Sequence, residues 1–597
     1  MLKGNNDSKL LENGIIEIVI PFYQIWQEIV NEKTLDIYQY RILTSLSALK
    51  ELSLVLNKTL KGIFTNDANI DSCREETLYI INSDCILEKD CRGITNRLKF
   101  CLGNKPKSDA DKNRMLAHVN YAIKEIQYLY EKWTLRELKD AIVRQDMRII
   151  VELSNVVASQ AANNGWSAHA LMDLLRYFRS ERDFDEQWHL FETSLLNHDK
   201  QEHDVLIFIP FRNQKNGVET DTLERLSNMG LEILEYEKLV QEYSNLDDIQ
   251  SLLNAQKRYF RVRVKAFDIY SAAHTAIRRI SDQLNMASFY NLVSAWDLSS
   301  VSIVAINSVT NYHKQFLASQ LYKTYDYLES SGTIFSYTKD IFTDETKREL
   351  REKLTGSFGY ANISRASLFQ EEKYMNLWVA LESLARTKMY PDIISNVKQT
   401  VPAAMSLRYI YRIVRNYVED CARCNVEFKF TNYEIDMKQD TKQKLVEQTI
   451  HLFLTPDLYS ELLEKCKVNS LLFYRTQAVY DILSNVKILK KKVKNHHDRV
   501  QWQIQRLYRV RNEIAHAALQ NETSLVPYIE HLYDYLATYI TEIVSCICVY
   551  QEGTVEEALA HIKDNYDVFI AFAEQGEDDI LEKNVMRTGI IDLISPH

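Results

Sequence analysis

The chain has 597 residues, 46% of them hydrophobic and 26% charged. That is long enough for several packed cores and too apolar for a disordered protein. Its 14 Gly and 8 Pro are few for this length, so the composition predicts a mainly helical protein with short connections. A formal net charge of −10 repels nucleic acid on average, so any such ligand needs a local basic patch.

The polar start, "MLKGNNDSKLLENG", has no signal-peptide pattern, and the nine cysteines form no regular framework. Reduced thiols in the cytoplasm are the expectation. No run of 18 or more apolar residues occurs, so no membrane span is expected. Residues 1–200 read as a helical region, with apolar residues at spacings of three and four. A break is predicted at Asn163-Asn164-Gly165, and Ser167 is placed to cap the next helix. Residues 201–315 differ. "DVLIFIPF" (204–211), "RYFRVRVKAF" (258–267) and "SVSIVAINSV" (300–309) read as strands, with helices over "TDTLERLSNMGLEILEYEKL" and "DIYSAAHTAIRRISDQL" between them. This predicts a small α/β layer. Residues 316–364 read as a linker or helical connection. Residues 365–552 hold several long amphipathic helices, as in a bundle, with "NVEFKFTNYEIDMKQD" as a break. Residues 553–597 add a helix and a tail.

The penultimate bundle helix carries "RLYRVRNEIAHAAL" (506–519). Arg511 lies in its apolar stripe, four after Leu507 and three before Ile514. Burying an Arg is costly unless it is paired, so Arg511 either has an acidic partner or awaits an anionic ligand. Asn512 and His516, four apart, share a face, while His516 is about 140° around the helix from Arg511. One helix cannot easily aim both at a single atom, whereas two copies across a two-fold axis could. The alternative is an Arg salt-bridged inside a bundle, with a His at the helix end.

"RNEIAH" on such a helix resembles the signature of HEPN domains, found in many prokaryotic ribonucleases of defence and toxin systems. "YMNLWVALESLA" (374–385) is similar to the "LW-x-ALE-x-L" helix of the ApeA-like branch of that family. The resemblance covers about 365–550. It implies a C-terminal HEPN helical bundle and a metal-independent endoribonuclease acting on RNA as a homodimer, with no cofactor. Carried over, Arg511, Asn512 and His516 form the catalytic set, and Glu382 supports Arg511 as its acidic partner. One departure is that "HAALQNE" has no Tyr after the His, which puts control by modification of that Tyr in doubt. The residue types suit the chemistry. His transfers protons near neutral pH, and Arg offers planar donors to a phosphate.

Between 487 and 516 nine basic residues face two acidic ones. Lys490, Lys491, Lys492, Lys494, Arg499, Arg506 and Arg509 are therefore expected to track an RNA backbone toward the motif. Arg261, Arg263 and Lys265 read as a solvated strand edge. Cys421-Ala-Arg-Cys424 is a lone pair, so zinc is not expected, and His496-His497 read as exposed turn residues. The expected whole is an effector of antiviral (abortive-infection) defence, restrained by its N-terminal region until a trigger or partner protein binds. The rival is a non-catalytic HEPN scaffold for RNA or protein.

Overall fold

The computed structural model describes residues 7–575, apart from 32–40, 65, 210–223, 229, 247, 255–257, 291–300, 319–331, 368, 436–441 and 518–524. It is a mainly helical, multi-domain protein with one small five-stranded sheet.

Helices from Asp7 to Leu196 share one core, centred on Phe22, Trp26, Phe178, Trp188 and Phe191, whose rings meet tilted or edge to face. Local chemistry sets the element ends. Thr44 and Ser47 form a capping box on helix Ser45–Leu60, and Ser108 and Asp111 do the same for Asp109–Ile126. Helix Met147–Asn164 ends at Gly165 with φ +108, a conformation that suits glycine, and the Ser167 side chain then accepts from the Ala170 amide. Both features match the expected break.

The sheet has strands β1 (Gln201–Phe208), β2 (Glu232–Glu235), β3 (Arg258–Ala266), β4 (Ser302–Asn307) and β5 (His313–Leu317). Their order is β2-β3-β1-β4-β5, and every pairing is antiparallel. The three expected strands are present. Glu232–Glu235, read as helix, is instead an edge strand whose Ile233 and Leu234 pair with β3. β5 was not foreseen. Helix Ile269–Phe289 covers one face of the sheet. A second small core, with Leu239, Tyr243 and Ile249, covers the other. Arg261 consequently is not at a solvated edge: it is buried and paired with Glu232 and Glu242. Arg263 and Lys265 are exposed and lie near Asp204 and Glu202.

The C-terminal core is wider at both ends than 365–552. It begins at Ile341, includes Leu350 and Leu354 of helix Arg348–Ala366, and ends at Phe569 of helix Val555–Gln575. Residues 332–366 therefore pack as part of the bundle and are not a linker. Helix Val526–Val549 is long and apolar enough to cross a membrane by length and composition. In this fold Ile529, Leu532, Leu536, Tyr539, Ile543 and Ile547 line the bundle core. The break "NVEFKFTNYEIDMKQD" contains a two-stranded hairpin, Lys429–Phe430 with Tyr433–Glu434.

Candidate active site and its surroundings

The motif lies on a single 32-residue helix, Val486–Ala517. The turn expected at His496-His497 does not occur. The helix starts about ten residues earlier, where the Asn485 side chain accepts from the Lys487 and Ile488 amides. His496 and His497 are thus mid-helix, not turn residues. Their rings stack on Tyr409 at 4.0 Å and on Tyr566 at 4.4 Å. Burial, then Arg499 and Arg412, hold the His496 pKa well below its ordinary value, so the ring is neutral at pH 7.

Leu489, Val493, Val500, Ile504 and Leu507 seat the motif helix in the bundle core, and Ile514 packs partly against it. Arg511, in that stripe, is half-buried. Its Nη1 donates to the Asn512 side-chain oxygen at 3.2 Å, and its buried Nε has no hydrogen-bond partner among the described residues. It makes no ion pair with any described residue. His516 is on the last turn of the helix, four residues after Asn512; its side chain lies outside the described residues.

Glu382 is not the partner of Arg511. The Tyr374 hydroxyl donates to the Leu507 carbonyl, and Gln370 accepts from the Leu525 amide just beyond the motif helix. Helix Gln370–Ala385 therefore runs antiparallel to the motif helix. Glu382, eight residues past Tyr374, lies about 12 Å further along, away from Arg511.

The N-terminal region occupies the opposite side of the motif helix. Arg506 binds both Glu51, at 2.9 Å, and Glu76; Arg509 also binds Glu51, and Lys58 binds Glu513. Gln505 donates to Asn69 at 2.8 Å, and the Trp502 and Tyr79 rings meet at 5.5 Å. Burial raises the Glu51 pKa, but Arg506 and Arg509 together overcome it and hold the carboxyl below its ordinary value. Glu76 has one Arg partner, and burial outweighs it, so its pKa is raised. Arg506 and Arg509 are thus not on an open RNA track: they hold helices Ser45–Leu60 and Ala68–Ser83 in place. Residues 495–514 of this helix are buried or half-buried, whereas Lys487, Ile488 and Ala515 on either side of them are exposed. Of the other track residues, Lys491, Lys492 and Lys494 are exposed, and Lys490 and Arg499 are half-buried.

A second clamp joins the same two regions. Arg475 pairs with Glu28 and, at 2.8 Å, with Asp420; Asp7 accepts from Asn469 and the Ser470 amide. Leu471 is counted in the N-terminal core. The sheet layer reaches the same corner as the motif through Arg278, paired with Glu371 at 2.7 Å, one residue after Gln370. Three parts of the chain therefore converge where the motif helix ends. Glu51, Glu76 and Lys58 are 430 or more residues from their partners in sequence. Their only signal was carboxylates on one helix matching unpaired cations on another.

Among the described residues no cluster of three or more His, Cys, Asp or Glu is arranged to hold a metal. Cys421 is buried and Cys424 half-buried. Comparison of the chain with family models, with curated proteins and with solved structures finds no match.

Proposed function

We propose that this chain is a metal-independent endoribonuclease of the HEPN type, restrained by its own N-terminal helices. One observation carries the reading. Arg511 is held in the apolar stripe of a bundle helix with no carboxylate paired to it among the described residues, whereas Arg506 and Arg509, earlier on the same helix, are each paired with Glu51. A guanidinium has five donors, and only one is engaged here by a side chain. An anion would complete the set. RNA supplies one beside its own nucleophile. The 2′-OH attacks the adjacent phosphorus, the bond to the 5′ oxygen breaks, and a 2′,3′-cyclic phosphate and a 5′-OH remain. The 2′-OH loses a proton and the leaving oxygen gains one, work suited to His516. Arg511 would bind the non-bridging phosphate oxygens as charge builds on them, with Asn512 fixing its orientation. A second copy, meeting the first at the helix end, would supply a second Arg–His set. The setting proposed is an effector of antiviral defence.

The test is RNA incubated with the full chain in EDTA. The expected result is cleavage leaving cyclic phosphate ends, absent in His516→Ala and reduced at least a hundredfold in Arg511→Ala. Cleavage that needs magnesium, or that survives His516→Ala, sinks the mechanism. A second reading, a non-catalytic scaffold, is favoured by Arg506 and Arg509, whose charge is spent on intramolecular pairing. RNA binding without cleavage in the same assay would select it.

A further inference from the structure

The helices that clasp the motif helix through Glu51 and Glu76 have a second neighbour. Helices Arg92–Gly103 and Asp109–Ile126 form a hairpin joined by residues 104–108. Arg74 donates to the Leu102 carbonyl at 2.6 Å and Lys105 pairs with Asp71, which ties the hairpin to the helix bearing Glu76. The Ser53 hydroxyl donates to the Asn120 side-chain oxygen at 2.6 Å, which ties it to the helix bearing Glu51. Ser53 follows Glu51 by two residues, and Arg74 precedes Glu76 by two. Two residues turn a helix by about 200°, so each of these helices holds the motif helix with one side and the hairpin with the other. The hairpin is therefore the outer layer behind the clasp.

Its outward face carries large apolar rings in water. Gly93, Arg97 and Phe100 follow one another by four and three residues, so they form one stripe of their helix. Arg114, Ala117, Tyr121 and Lys124, spaced by three, four and three, form a stripe on the other. Every one of these residues is exposed. Phe100 is 79% exposed, and Tyr128, just past the second helix, is 77% exposed. The stripes meet where the Arg97 guanidinium lies over the Tyr121 ring, 5.5 Å from its centroid. The cations of the hairpin divide by face. Lys99, Lys105 and Lys112 pair with Glu88, Asp71 and Asp67 at 3.1, 2.6 and 2.9 Å. Arg97, Arg114 and Lys124 make no ion pair with a described residue. The carboxylates beside them are Glu125 and Asp111, and Asp111 is engaged in the capping box. The face is left positive on a chain whose net charge is −10.

Exposed Phe, Tyr and Arg in one patch are the residue types that anchor protein partners, and stripes on two neighbouring helices make a groove that fits a third. The unpaired cations call for acidic polar positions on that third helix. We propose that the outer face of the 92–126 hairpin docks an acidic amphipathic helix of a partner protein, and that this partner is the trigger that acts on the clasp. The trigger role rests on the reading of the chain as a restrained ribonuclease and deepens it. A strand of RNA fits the face less well. The three cations are spread over two helices with no continuous track, and the clasp helices stand between this face and the motif. A partner that binds the released state more tightly than the clasped one opens the clasp, acting through the Arg74 and Ser53 contacts one layer away.

The experiment uses the full chain and a displayed library of helical peptides as long as helix Asp109–Ile126, 18 residues, with Leu at spacings of three and four and the other positions randomised. Selection is expected to enrich peptides rich in Asp and Glu. Their affinity is expected to fall by about tenfold or more in Phe100→Ser, and likewise in Arg97→Glu with Arg114→Glu. Replacing the acids of a selected peptide with Lys is expected to restore binding to the charge-reversed variant, which also shows that the variant is folded. Saturating peptide is expected to raise RNA cleavage in EDTA several-fold in the wild type and not in the charge-reversed variant. Enriched peptides that are neutral or basic, or that bind the variants as tightly as the wild type, overturn the docking surface. So does a labelled single-stranded RNA that binds this face in place of peptide and loses affinity in the charge-reversed variant. Tight binding at this face that leaves chelator-resistant cleavage unchanged overturns the trigger role. The two readings fail separately. Face-dependent binding of acidic peptides by a chain that cuts nothing, with or without peptide, removes the nuclease alone. Chelator-resistant, His516-dependent cleavage by a chain that selects no acidic peptide removes the docking surface alone.

Discussion

Two arginines five residues apart on one helix are in opposite electrostatic situations. Arg506 satisfies Glu51 and Glu76, whereas Arg511 has only Asn512 among the described residues. Removing one member of a buried pair leaves the other charge desolvated and costs about 3–5 kcal/mol. Arg506→Met is therefore expected to lower the denaturant midpoint strongly, whereas Arg511→Met should cost less than about 1 kcal/mol or stabilise, since it removes an unpartnered buried Nε. Equal losses in the two variants would contradict the assignment. The two glutamates also differ in pH response. Unfolded, both titrate near 4.3. Glu51 is held lower in the fold, so its contribution is complete above about 4.3 and is lost as pH falls through its folded value. Glu76 is held higher, so its contribution is complete below about 4.3 and is lost as pH rises through its folded value. In midpoints measured against pH, Glu51→Gln should remove part of the acid-side loss. Glu76→Gln should remove part of the decline toward neutral pH and should cost less than Glu51→Gln at pH 7. The reverse order would overturn the assigned shifts.

At the scale of the element, the motif helix packs on the bundle with one side and against the N-terminal helices with the other. Release of the second contact is expected to activate the enzyme proposed above. Glu51→Gln with Glu76→Gln should raise RNA cleavage by at least several-fold while His516→Ala in the same background stays inactive. A double variant that folds, binds RNA and cuts no faster would show that the clasp is only structural. The helix itself was legible in sequence, because Ile504, Leu507 and Ile514 keep a helical period. Its start was not. Four lysines and two histidines from Lys490 to His497 read as a polar interruption. In the fold, Tyr409 and Tyr566 cover those histidines from elements about 90 residues before and 70 after. For the same reason Glu232–Glu235 was misread: its partner strand is what makes it extended, and pairing is non-local. The candidate residues Arg511 and Asn512 were legible as a local pattern. Glu382 was not correctly placed, because spacing along one helix says nothing of the direction in which a second helix crosses it.

At the scale of the whole molecule, three parts of the chain meet at the end of the motif helix, through Lys58–Glu513, Arg278–Glu371 and Gln370–Leu525. Residues 495–514 of the motif helix are buried or half-buried in one copy, which leaves little of that stretch for side-by-side pairing of two motif helices. We therefore expect the proposed dimer to use the helix end or to form on release of the clasp. Light scattering on the resting full chain is expected to give the mass of one copy, with the Glu51→Gln, Glu76→Gln variant shifting toward two. A resting chain that is already a tight dimer, with no change in the variant, would rule out assembly as the gated step. The position of Leu471 in the N-terminal core has a consequence for how the protein is made. The helices bearing Glu51 and Glu76 leave the ribosome more than 400 residues before Ala517 completes the motif helix, an interval of roughly 20–90 s at ordinary elongation rates. Their core is completed by Leu471, which is synthesised ahead of Arg506, Arg509 and Arg511. The surface that holds the motif helix can therefore close as the motif emerges, and a ribosome that stalls early releases a chain without the motif helix. Under the activity proposed above, order of synthesis alone would protect the cell from an unguarded fragment.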